Sequence, residues 1–246
     1  MPSILDRLGL SVPIIQAPMA GVSTPRMAAA VSNAGALGSI AVGAGSAEEA
    51  RKLIEATCAL TQRPFNVNVF AHRPPRRNEE VDQAWLKALA PHFEAFDAEP
   101  PAQLKTIYNS FVDDDRMLSC LVETAPAVVS LHFGLIEIDR IRALQSAGSL
   151  CVASVTSLEE ARACQAVGVD AVIAQGYEAG GHRGVFDPDA PDEKLSVWEL
   201  TRRLVDSVDL PIIAAGGLMT GKDIKAALDH GASAAQLGTA FIACPE

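Results

Sequence analysis

Positive charge is scarce in this chain: 20 lysines and arginines stand against 30 aspartates and glutamates, a formal net charge of −10 at pH 7. A surface that follows nucleic-acid phosphates, or rests on an anionic membrane, needs the opposite balance, so neither partner is expected. The one basic cluster, HRPPRR at 72–77, is too short and too proline-rich to reverse this, and is expected as a solvated loop. Cysteine patterning is missing as well. The five cysteines (58, 120, 151, 164, 244) are odd in number and show no CxxC spacing. That excludes a zinc site or a disulfide framework and fits a reducing compartment. Cys151 and Cys164 lie in apolar or helical contexts and are expected in the core. No apolar run reaches the length of a membrane span, and MPSILDRLGLSVPIIQAPMAG has no basic segment ahead of an apolar one. The expectation is a cytoplasmic protein with no metal and no membrane.

What is present is apolar and regularly punctuated. Hydrophobic residues make up 49% of 246, ample for one large α/β domain rather than two small ones. Eight short apolar runs follow one another: 13–17, 37–41, 64–70, 127–133, 150–155, 170–175, 211–216 and 234–238. Nearly continuous apolar runs of this kind are parallel strands covered on both faces. Helix starts fall in the gaps. Thr24-Pro25 is an N-cap followed by proline, and Ser46/Glu49, Ser157/Glu160 and Thr220/Asp223 have capping-box spacing. Glycines at 35, 168 and 231 mark helix ends. Eight strands each followed by a helix predict a (β/α)8 TIM barrel, with a doubly wound sheet as the competitor because strand order is not legible in one sequence.

Two departures from that pattern are expected. Residues 71–126 form a helical insertion after the third strand, including the amphipathic stretch at 78–96. The chain stops at GTAFIACPE, where an eighth helix should only just begin, so the C-terminus reads as truncated. The whole of 1–246 is otherwise one barrel domain.

In a barrel the strand C-termini face the site. There lie QAPMAG after the first strand, Asn68, His132, GYEAGGHRG at 176–184, GGLMTG at 216–221, and Gly238-Thr239. The glycines of the last two loops can present amides to a phosphate at or near helix N-termini. GGLMTGKD resembles a P-loop, but position 223 is Asp where a magnesium-binding hydroxyl is required, and Asp223 suits a capping box better. His182, among glycines that cannot bury it, is the candidate base or ligand group, since imidazole titrates near neutrality. His132 is a weaker substrate-side candidate. Glu178 and Arg183 either pair with each other or anchor the loop. His72, His92 and His230 read as surface or helix-end residues.

QAPMAGVSTP, NVNVF, GYEAGGHRG, IIAAGGLMTG and QLGTAF, in this order from residue 13 to the C-terminus, together resemble the nitronate monooxygenases, formerly 2-nitropropane dioxygenases. The resemblance implies an FMN-dependent barrel that oxidatively denitrifies alkyl nitronates, such as propionate 3-nitronate, or nitroalkanes with dioxygen. It also implies residue roles. Pro18, Met19 and Ala20 would lie along the flavin ring. Asn68 and Gln175 would hydrogen-bond it, and Gly180 and Gly181 would approach it by backbone. Gly217 and Gln236-Leu237-Gly238-Thr239 would cradle the phosphate, and His182 would be catalytic. Family members carry a further C-terminal portion beyond GTAF. The nearest rivals are an FMN-dependent enoyl-acyl-carrier-protein reductase, which shares the EAGGH loop, and a non-enzymatic flavin- or phosphate-binding module. A homo-oligomer is compatible with all three.

Overall fold

The computed structural model describes residues 3–246. Eight strands are present: β1 (Ile14–Gln16), β2 (Gly38–Ala41), β3 (Phe65–Phe70), β4 (Val128–His132), β5 (Leu150–Val155), β6 (Ala171–Gln175), β7 (Ile212–Ala215) and β8 (Ala234–Leu237). All pair in parallel in the order β1-β8-β7-β6-β5-β4-β3-β2, and an Ile15–Leu37 bridge joins β1 to β2 and closes the ring. This is the (β/α)8 barrel, and the doubly wound alternative is excluded by strand order.

Helices α1 (Ile4–Leu8), α2 (Pro25–Asn33), α3 (Ala47–Cys58), α4 (Glu79–Glu94), α5 (Asp115–Thr124), α6 (Ile138–Ser146), α7 (Leu158–Val167), α8 (Val197–Val205) and α9 (Gly221–Asp229) complete the chain, with a 3-10 turn at Thr239–Phe241. Thr24, Ser46 and Thr220 cap their helices as the spacing predicts, the last two in full capping boxes. Ser157 accepts from the Glu160 amide, but the reciprocal half of that box is absent. The Glu160 carboxylate is drawn away to Thr156 and to the Phe186 amide, so it ties two loops instead of closing one helix end. Cys151 and Cys164 are buried as expected.

Period-two alternation fixes what fills the barrel. Ile15, Val128, Val152, Ile173, Ile213 and Ala234, from six strands, join one apolar cluster with Ile4 and Leu8 of α1. Residues from so many strands meet only inside the ring, so α1 is the plug of its N-terminal floor. One step up the same faces, the side chains turn polar: Val128 leads to Ser130 and His132 on β4, Ile173 to Gln175 on β6, and Ala234 to Gln236 on β8. Asn66 donates to Ser39 Oγ at 3.2 Å, and Asn68 to Ser130 O and Oγ at 3.1 and 3.0 Å. The interior is a gradient from an apolar floor to a polar rim.

The segment between β3 and β4 carries α4 and α5. It is stitched to the rim by Phe111 N donating to Phe70 O at 2.8 Å, with the Phe111 side chain buried. α4 buries only Leu86, and leaves Val81 and Trp85 exposed. Among the described residues no helix is long and apolar enough to cross a membrane.

Candidate active site

The loop after β6 is held at the rim by its own backbone. The carbonyl of His182 accepts two hydrogen bonds, from Gln175 Nε2 at 2.9 Å and from His132 Nε2 at 3.1 Å. Gln175 Oε1 in turn accepts from Gly184 N at 2.7 Å. Each of these anchors sits on the last residue of its strand, β6 or β4, and so is positioned by the barrel and not by the loop. Gly184 is required here: a Cβ on it would lie 2.8 Å from His132 Cε1. His132 Nε2 meets a carbonyl oxygen, so it carries the proton. Burial disfavours its charged form and lowers its pKa to about 4, so near neutrality the ring is the neutral donor this bond needs.

Arg183 and Glu178 do not pair with each other. Arg183 makes a two-pronged ion pair with Asp192 (2.9 and 2.8 Å) and donates to Gln175 O at 2.6 Å. Those donors hold the Asp192 carboxyl below the usual carboxylate range. Glu178 accepts from Val197 N at 2.9 Å, at the start of α8. Both are anchors of the loop. Asp192 is not marked by any sequence pattern, and Glu160 is marked only as half of a capping box. Only the fold brings their carboxylates to the loop, Asp192 to Arg183 and Glu160 to the Phe186 amide.

The loops of β7 and β8 complete the rim beside it. Ala215 is in register with Gln236, which sets Gly216-Gly217 next to Leu237-Gly238. A Cβ on Gly217 would lie 3.0 Å from Glu178 Cβ, and one on Gly238 would lie 3.6 Å from Ala17 Cβ and from Met19 Sδ. The loops after β6 and β7 therefore touch, as do those after β8 and β1. The β1 loop is shaped by Ser23, whose Oγ accepts from Met19 N at 2.9 Å and from Gln16 Nε2 at 2.7 Å. That network sets Pro18, Met19 and Ala20 at the rim.

Several polar groups here have no partner among the described residues. The amides of Gly217, Gly238 and Thr239 donate to none of the chain's acceptors, and buried Gln236 Oε1 accepts from none of its donors. The α9 N-terminus is different. Asp223 Oδ2 accepts from Met219 N, Thr220 N and Thr220 Oγ1, so a carboxylate holds the turn that leads into the helix. A Cβ on Gly180 or Gly181 would meet nothing within 4 Å, so these glycines face open space and His182 is exposed beside them. Among the described residues no cluster of His, Cys, Asp and Glu forms a metal site.

These features define a (β/α)8 barrel with unpaired amides on its last two loops and a braced, exposed histidine on its sixth. A family model described as "Nitronate monooxygenase" matches residues 2–246. The chain belongs to the nitronate monooxygenase family, whose named members are oxidoreductases. It is 58% identical over 99% of its length to a nitronate monooxygenase of Paraburkholderia phytofirmans, and 53% identical over 97% to one of Pseudomonas aeruginosa. It covers 67% and 68% of those two proteins, so it spans about two thirds of their length. Among solved structures, the nitroalkane oxidase from Streptomyces ansochromogenes superposes with a TM-score of 0.86 at 40% identity, over 95% of this chain and 67% of that one.

Proposed function

We propose that this barrel binds FMN across its rim and, with dioxygen, oxidises small alkyl nitronates or nitroalkanes. The observation that carries this reading is the meeting, on one rim, of the unpaired Gly217, Gly238 and Thr239 amides with the braced His182 loop. Family membership and the likeness to a nitroalkane oxidase support it.

The residues present fit a phosphorylated flavin. Unpaired backbone N–H groups are donors for a phosphate, and the orphaned Gln236 Oε1 is an acceptor for a hydroxyl or ring N–H. Open space before Gly180 and Gly181 admits a flat ring to their backbone. Gln175 keeps one amide proton and one lone pair beyond its two loop bonds, so it can brace the loop and contact a ligand together. When bound, the flavin supplies the electron acceptance and the reaction with dioxygen.

The chain's own part is placement and proton handling. His182 is exposed, and both of its hydrogen bonds are made by its carbonyl, so its ring nitrogens are left for the substrate. Toward a neutral nitroalkane, the imidazole takes the α-proton. The C–H bond breaks, its electron pair enters the C=N bond of the nitronate, and the proton rests on the ring. Toward a preformed nitronate, a ring N–H donates to a nitro oxygen. His132 serves by holding the loop.

Titration with FMN followed by visible absorption, then oxygen uptake on propionate 3-nitronate, tests the proposal. A protein that binds FMN yet consumes no oxygen on any nitronate sinks it. NADH oxidation with a crotonyl thioester would instead favour the reductase.

A further inference from the structure

Phe133 directly follows β4 with φ +72°, in the left-handed region. A bulky aromatic there is an outlier, and such strain persists where the surroundings hold it for a purpose. The ladder does not ask for it, because pairing ends one residue earlier at His132. The side chain instead becomes a hub. Its ring centroid lies 4.3 Å from that of His132, 5.1 Å from Phe70, 6.5 Å from His72 and 5.8 Å from His182, all in edge-on geometry.

His182 needs such a neighbour. Its carbonyl is fixed by His132 and Gln175, but those bonds leave the side-chain torsions of the imidazole free. A hydrogen bond to the ring would fix them at the expense of a nitrogen. An edge-on phenyl, 70° to the imidazole plane, fixes them and leaves both nitrogens available.

We propose that Phe133 is a positioning residue that sets the orientation of the His182 imidazole from β4. The role rests on the reading of His182 as the group that meets substrate. Its test has a readout that does not depend on that reading. In ¹H–¹³C spectra of the full chain, with His182 assigned by H182Q, F133L is expected to move the His182 ring resonances. Those of His92 and His230, which report that the fold persists, should stay in place. With FMN and a nitroalkane, F133L should lower kcat about three- to tenfold while KM changes less than about twofold, and F133Y should stay near the parent value. His182 resonances that do not move in F133L would overturn the proposal. So would an equal loss of kcat in F133L and F133Y. If the parent protein oxidises no nitronate, the resonance shift alone decides the positioning role, and the failure belongs to the functional reading.

Discussion

At the scale of single residues, the rim divides labour between two histidines that look alike in sequence. His182 is exposed with its ring nitrogens unbonded, whereas His132 is pushed to a pKa of about 4 by burial and spends Nε2 on a carbonyl. Replacing His182 by Gln should lower oxygen uptake on a nitroalkane by roughly 10²-fold or more, the range for a lost general base. The loss on a preformed nitronate should be smaller, because that substrate has already given up its proton. The ratio of the two losses, measured side by side, checks the assignment. His132 makes a prediction about stability. Its folded pKa lies below the ordinary value near 6.5, so between about 6.5 and about 4 the unfolded chain binds more protons than the folded one. Stability from this group is complete above that window and is lost as pH falls through it. The thermal midpoint of the parent should therefore drop more steeply from pH 6.5 to 4 than that of H132Q. Parallel curves would show that burial of His132 is not coupled to folding.

At the scale of elements, the loop after β6 is fastened by bonds that reach well beyond its motif. GYEAGGHRG ends at residue 184, but the loop continues to Ser196, and its far half supplies Asp192 to Arg183. Replacing Asp192 by Asn should loosen this segment, and trypsin should cleave after Arg183 several-fold faster at neutral pH, read by mass spectrometry. The same pair gives an acid sensitivity. Asp192 is held below the ordinary carboxylate value near 3.9, chiefly by Arg183, so its contribution is present above that value and is lost as pH falls through the lowered one. Elements were legible where local chemistry sets them: all eight strands, the Thr24 cap, and the Ser46 and Thr220 boxes arise from neighbours in sequence. The Ser157/Glu160 box was half illegible because Phe186, remote in sequence, competes for the Glu160 carboxylate. α1 was missed although Ser3-x-x-Asp6 and Gly9 marked both of its ends, since five residues are too few to show a helical period.

At the scale of the whole molecule, the barrel rests on a plug that lies at the opposite end from its polar rim. Ile4 is 3% exposed and packs with Ile15, Val128, Val152 and Ile213 beneath the polar layer. Truncating Ile4 to Ala should cost about 2–5 kcal/mol in urea unfolding, the range for a large-to-small change in a core, with FMN affinity of the folded fraction unchanged. A loss of affinity would mean that floor and rim are coupled through the strands. The sequence by itself determined the strand count, the parallel class, the capped helix starts and the set of loops at the C-terminal rim. Each is written in periodicity, capping and glycine placement, which act over a few residues. Only the tertiary structure decided that the sheet closes, that His132 and Gln175 converge on one carbonyl, and that Phe133 rather than a hydrogen bond flanks the His182 ring. The physical reason is that ring closure and those contacts join segments up to a hundred or more residues apart in the chain. No local pattern records which partner a side chain will find when several strands end at one rim.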